Sequence, residues 1–66
     1  MNGTDEALAR AETLLERLEA VRAQLEASDD PERAIDILQE LAEIARGIES
    51  ELQQARRAAE ADAADA

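Results

Sequence analysis

Carboxylates are the side chains of this sequence that are most able to do chemistry. Glu40 and Glu43 stand three residues apart in its C-terminal half, and Glu49 and Glu51 follow them. In di-iron helical bundles a Glu is followed three residues later by a His, and both side chains project into the core. The sequence has no His, and these Glu lie off the apolar stripe of their segment. The pattern therefore predicts a solvated acidic face without a metal site.

A second group of carboxylates crowds one short segment, where Asp29, Asp30 and Glu32 surround the only Pro, Pro31. Oxygen ligands of this kind can hold a divalent cation. An EF-hand loop, however, alternates its ligands along a longer segment and carries a Gly at its bend, and that pattern is absent. Because Asp30 directly precedes a Pro at a predicted helix start, N-capping explains this residue better.

Nucleophilic chemistry has little support in this composition. The hydroxyl residues are Thr4, Thr13, Ser28 and Ser50, and the sequence contains no Cys, His or Lys to act beside them. A hydroxyl needs an adjacent base to become a useful nucleophile. No Gly-rich phosphate-binding loop is present either. We therefore predict that the chain is not an enzyme and binds no cofactor.

The charge of the chain restricts its partners. The formal net charge is −10, from 17 acidic residues against seven Arg, and there are no aromatic residues. Nucleic-acid phosphates and anionic membrane surfaces repel such a chain, and single-stranded bases find no aromatic side chain for stacking. We predict no direct nucleic-acid or membrane partner. The N-terminal residues show no basic and apolar leader, so the expected location is cytoplasmic.

Apolar residues recur at alternating spacings of three and four, in two runs on either side of Pro31. This spacing places one continuous stripe on one face of an α-helix. A Pro moves the residue before it out of the helical region, and a short turn makes the two helices antiparallel neighbours. The stripes are Ala7, Ala11, Leu14, Leu18, Val21 and Leu25, then Ala34, Leu38, Leu41, Ala45, Ile48, Leu52, Ala55 and Ala59.

The predicted fold is therefore an all-α, antiparallel two-helix hairpin of the coiled-coil type. Thr4 is the expected N-cap of the first helix. Gly47 is expected on the polar side of the second helix, where it costs about 1 kcal/mol relative to Ala. It is expected there as a tolerated defect, with a point of bending or close packing as the alternative. The predicted segments are a flexible leader at 1–4, helix 1 at about 5–28, a turn at 28–31, helix 2 at about 31–59 and a frayed acidic-alanine tail at 60–66.

Further apolar residues flank both stripes, with Leu8 and Leu15 beside the first and Ile35, Ile37 and Ile44 beside the second. They widen the apolar faces beyond what a two-stranded coiled coil covers. The excess predicts a four-helix bundle of two hairpins, or one hairpin lying on the helices of a partner. Partial exposure of the flanking Leu and Ile is the alternative. The residues assigned to this partner interface are Leu8, Leu14, Leu15, Leu18, Val21, Leu25, Ile37, Leu38, Leu41, Ile44, Ile48 and Leu52.

Two Arg residues stand beside the first stripe. Arg10 and Arg17 occupy flanking positions of the heptad. Charges at such positions commonly select the partner helix and its orientation in helical assemblies.

The segments RLEAVRAQLEAS at 17–28 and AIDILQE at 34–40 resemble the small subunit of bacterial exonuclease VII. That family forms a short acidic helical hairpin, and the similarity extends over about forty residues. The family's turn usually carries Gly and a following Leu, and an aromatic residue and a Gly stand where this chain has Leu38 and Leu41. The resemblance implies a non-catalytic accessory subunit that packs on a helical part of the large subunit of a single-strand DNA exonuclease.

The sequence as a whole predicts a non-enzymatic module for helix-mediated protein interaction or oligomerisation, which buries a wide heptad stripe against partner helices. Its partners are protein helices, either copies of itself in a homo-oligomer or a larger helical subunit. Two alternatives stay open, the accessory subunit of a nuclease resembling exonuclease VII and a self-contained homodimeric four-helix bundle with a structural role.

Overall fold

The computed structural model describes residues 2–65, which form two α-helices, α1 (Gly3–Ala27) and α2 (Pro31–Asp65). The helices run antiparallel and pack against each other, in a body that measures 54 by 16 by 10 Å between Cα positions. No strand occurs within the described range. The predicted all-α antiparallel hairpin is confirmed.

Helix α1 begins earlier than expected, because Asn2 caps it in place of Thr4. The Asn2 side chain accepts a hydrogen bond from the Asp5 N–H at 2.8 Å, and the Asn2 carbonyl accepts one from the Glu6 N–H at 3.1 Å. Asn is among the strongest N-capping residues, and Asp5 and Glu6 then lie where the helix dipole favours negative charge. Residues 3 and 4 of the predicted leader are therefore helical, and Met1 lies outside the described residues.

The connector at 28–30 joins the helices through the N-cap predicted from the sequence. The Ser28 N–H donates to the Leu25 carbonyl at 3.2 Å as α1 ends. At the start of α2, the Asp30 side chain accepts from the Glu32 N–H at 3.1 Å and its carbonyl accepts from the Ala34 N–H at 2.9 Å. Asp30 is confirmed as the cap, with Pro31 as the first helical residue.

Helix α2 continues to Asp65, past the expected end near residue 59. The predicted frayed tail at 60–66 is thus helical up to Asp65, and Ala66 lies outside the described residues. Alanine has the highest helix propensity, and the Arg56 Nε donates to Glu60 Oε1 at 3.0 Å along the helix. Local stabilisation of this kind extends the helix beyond the part that packs on α1.

The core lies between the two helices and changes character along them. Val21, Ile37 and Ile44 form the buried cluster of the middle and the turn end. Toward the chain termini the buried side chains are those of Ala7, Ala11 and Ala55. Five partly buried residues pack around the aliphatic cluster, namely Leu14, Leu18, Leu25, Leu41 and Ile48.

The stripe that α2 presents to α1 differs from the predicted one at alternate positions. Ile37 and Ile44, expected at the flank, are only 5% and 4% exposed, whereas Leu38 and Leu52 are 52% and 49% exposed. The predicted and observed stripes obey the same three-and-four spacing and share Leu41, Ile48 and Ala55. At the positions where they differ, the observed stripe has Ile37, Ile44 and the partly buried Glu51, and the predicted stripe has Leu38, Ala45 and Leu52.

Candidate interaction surface

Cross-helix polar contacts lie along one side of the hairpin. The Arg10 Nε donates to Glu51 Oε1 at 2.9 Å, and the Arg10 Nη2 donates to Gln54 Oε1 at 3.2 Å. Arg17 Nη2 lies 3.9 Å from Glu40 Oε2. We call the surface of these five residues the polar side. The flanking Arg residues thus bridge the two helices of one chain.

Leucines occupy the opposite side of α1. An α-helix advances by about 100° per residue, so Leu8 and Leu15 lie across the buried stripe from Arg10 and Arg17. The two leucines are 45% and 50% exposed. They make no part of the buried core and face solvent in the single hairpin.

Helix α2 repeats this arrangement. Leu38 and Leu52 lie across its buried stripe from Glu40 and Gln54, with Ala45 between them on the same side. Because the helices are antiparallel, the leucines of α1 and of α2 come to the same broad side of the hairpin. We call the surface formed by Leu8, Leu15, Leu38, Ala45 and Leu52 the apolar side.

The register between the helices arranges the apolar side in rows. A Cβ at Gly47 would lie 3.2 Å from Leu14 Cδ1, and Arg10 pairs with Glu51. These two contacts show which residues of α1 and α2 lie at the same height along the hairpin. The register places Leu8 level with Leu52, Leu15 level with Ala45, and Arg22 level with Leu38.

The rows of the apolar side carry almost no net charge. Arg22 is their one charged member, and its guanidinium pairs with Glu19 at 3.2 Å and with Glu26, both on α1. Glu19 and Glu26 pair with the positive charge of Arg22 at the edge of the apolar side. The rows themselves contain no carboxylate, and Glu12, Glu19, Glu26 and Glu49 lie along their edges, one helical turn from Leu8, Leu15, Arg22 and Ala45.

The structure divides the predicted interface residues into three groups. Val21, Ile37 and Ile44 are buried between α1 and α2 of the same chain, so their assignment to a partner interface does not fit the closed hairpin. Five others surround that core and are half-buried, namely Leu14, Leu18, Leu25, Leu41 and Ile48. The exposed remainder is Leu8, Leu15, Leu38 and Leu52, all on the apolar side.

Two residues near this surface are absent from the assigned interface, although one of them, Ile35, is among the flanking residues that predict it. Ala45 completes the row of Leu15, and Ile35, which is 56% exposed, lies one turn from Leu38. The signal for Ala45 was hidden because the predicted stripe placed it between the helices. Once Ile44 takes the buried position, Ala45 moves to the apolar side.

Gly47 faces α1 and does not lie on the polar face of α2, contrary to the expectation from the sequence. A Cβ there would lie 3.2 Å and 3.8 Å from the two terminal methyl carbons of Leu14. The close-packing interpretation of this residue therefore fits, because the missing side chain makes room for Leu14.

Gly47→Ala is expected to stabilise the hairpin by up to about 1 kcal/mol, the helix-propensity difference between the two residues. The new Cβ meets only the tip of the flexible Leu14 side chain, which can shift by a few tenths of an ångström. Urea unfolding measures the change, with Ser50→Ala on the exposed face as the propensity control. A lower unfolding free energy for Gly47→Ala would show that Leu14 is fixed in place.

The remaining surface offers few features for a small ligand. A shallow depression of about 300 Å³ is lined by Gln53, Arg56, Arg57 and Glu60, all from α2. Across residues 2–65, acidic side chains nowhere gather in threes with the geometry for a metal ion. Neither α1 nor α2 combines the length and the apolar character needed to cross a bilayer.

Comparison with known proteins found no matching protein-family model, no matching curated protein and no matching solved structure. Function is therefore inferred from the surface of the chain itself.

Proposed function

We propose that the chain is a non-enzymatic, cytoplasmic interaction module that lays its apolar side against the helices of another protein chain. The observation that carries the proposal is the placement of Leu8, Leu15, Leu38 and Leu52, each about half exposed, on one side of the hairpin. Single exposed leucines are ordinary, but a contiguous apolar surface on a small protein indicates an interaction site.

The amount of exposed surface supports the same proposal. The hairpin exposes 4916 Å² for a mass of 7.2 kDa. A globular monomer of this mass exposes roughly 4,100 Å². The difference, on the order of 800 Å², reflects the elongated shape of the hairpin and is comparable to the area that each partner contributes to an interface of standard size.

The small number of large side chains in the core also supports the proposal, because it limits the stability of the isolated hairpin. Among the described residues, Val21, Ile37 and Ile44 are the large buried side chains, and the other buried residues are alanines. A domain this small buries a low fraction of its surface and is marginal by itself. Partner helices on the apolar side supply further burial.

Affinity purification tests the proposal: a tagged version of the chain is purified from the cells that produce it, and the proteins retained with it are identified. The wild type is compared with Leu15→Glu on the apolar side and with Gln24→Glu, which adds the same charge to the same helix on the opposite side. We expect a partner that is retained by the wild type and by Gln24→Glu and is lost with Leu15→Glu. Far-UV circular dichroism confirms that each purified variant is helical.

The proposal is overturned if the wild type retains no chain, or if Leu15→Glu retains the same partner equally well. The identity of the retained chain separates the alternatives. A large catalytic nuclease subunit would indicate the accessory subunit, and an untagged copy of the chain would indicate self-assembly.

A further inference from the structure

We propose that the occupant of the apolar side is a second copy of this chain, and that two hairpins form a four-helix bundle in which α1 of each copy lies over α2 of the other. This inference rests on the proposed function and names its partner. Charge, area and side-chain size each support it.

The distribution of charge favours a second copy over a basic partner. The net charge of −10 would attract a basic chain, but none of the three rows of the apolar side contains a carboxylate. Their one cation, Arg22, is already paired with Glu19 and Glu26. The centre of a matching surface must therefore be apolar and nearly neutral, as it is on the apolar side of another copy.

The width of the surface favours two partner helices over one. The broad side of the hairpin measures 54 by 16 Å between Cα positions. A single helix with its side chains is about 10 Å wide and leaves part of this side uncovered. A second hairpin has the same width, and covering the whole side hides on the order of 800 Å² per copy, as in interfaces of standard size.

Side-chain size favours one of the two symmetric arrangements. A twofold axis parallel to the helices places Leu15 over Ala45 of the partner subunit, so a large side chain faces a small one twice. A twofold axis across the helices sets Leu15 against Leu15 of the partner subunit and Ala45 against Ala45 of the partner subunit. The first arrangement fills the layer evenly, and close-packed interiors favour it.

Sedimentation equilibrium of the purified full chain tests the identity of the partner. We expect a mass of two chains at micromolar concentration that falls to one chain on dilution. Each of Leu15→Glu and Leu52→Glu weakens association by about 100-fold or more, since a symmetric interface carries the change twice. Gln24→Glu leaves association unchanged. If the Glu variants do not fold, Leu15→Ala retains the helix and still weakens association.

The salt dependence of the dissociation constant is an independent test of the second copy. Two chains of charge −10 repel each other, so added salt tightens a dimer, whereas it weakens a complex with a basic partner. A dissociation constant that rises with salt contradicts the second copy. A measured mass of one chain at all concentrations up to roughly 0.1 mM also contradicts the second copy.

A spin label at the connector tests the arrangement. The sequence has no Cys, so Asp29→Cys is labelled at a single exposed site that takes no part in the Asp30 cap. With the twofold axis parallel to the helices, both connectors lie at one end and the labels are within about half of the 54 Å length. The axis across the helices at Leu15 would place the labels about 40 Å apart, at 1.5 Å per residue, and a separation of that size overturns the arrangement.

The outcomes separate this inference from the proposed function. A purified chain that stays monomeric, while its Leu15-dependent capture of a larger chain persists, overturns the second copy and leaves the interaction module standing. A monomer that captures nothing overturns both.

Discussion

Ile44→Asp is expected to abolish the helical fold. Ile44 is 4% exposed and packs in the cluster with Val21 and Ile37. An unpaired carboxylate at this position costs several kcal/mol. Small domains are stable by about 5–15 kcal/mol at most, and this core contains few large side chains. Far-UV circular dichroism should show the loss of most helicity at neutral pH.

Ile35→Asp is the matched control, because it makes the same change on the same helix at a side chain that is 56% exposed. It should leave the helical signal and the cooperativity of unfolding close to those of the wild type. A folded, cooperative Ile44→Asp would mean that residue 44 does not lie between the helices.

Two neighbouring residues of α2 are expected to respond very differently to the same truncation. Ile37→Ala should lower the free energy of unfolding by about 2–4 kcal/mol, because it leaves a cavity between α1 and α2. Leu38→Ala should lower it by less than about 1 kcal/mol in the monomer, because Leu38 is half exposed. Urea unfolding of dilute protein measures both values.

The comparison distinguishes the observed register of α2 from the one predicted by its sequence pattern. In the predicted stripe Leu38 faces α1 and Ile37 lies at the flank, which reverses the order of the two effects. If Leu38→Ala lowers the free energy of unfolding more than Ile37→Ala does, then Leu38 faces α1 as in the predicted stripe and does not belong to the apolar side.

The two helices and the start of α2 follow from local chemistry, and for that reason the sequence predicts them, although it places the start of α1 two residues late and the end of α2 near residue 59. The side chain of Asp30 caps α2, and Pro31 is its first residue, so the start of this helix depends on these two neighbouring residues alone. The register of α2 depends on tertiary packing and is harder to predict. Two stripes through Leu41 and Ile48 obey the same spacing, and only packing against α1 decides between Ile44 and Ala45 as the buried residue.

The candidate surface could be predicted residue by residue but not as a surface. The heptad spacing places Leu8 and Leu15 beside the stripe of α1. Which residues of α2 share their side depends on the register, which the contacts of Gly47 with Leu14 and of Arg10 with Glu51 reveal. A close approach at a glycine has no local sequence signal that separates it from a tolerated helix defect.

The helices of this hairpin are held together unevenly from end to end. Near the chain termini, the contacts between them are made by small residues such as Gly3, Ala7, Ala11, Ala55 and Ala58. Each of these contributes far less hydrophobic stabilisation than the Ile and Val side chains of the middle and the turn end. Local unfolding therefore begins at the open end, and the turn end is the last cooperative unit to separate.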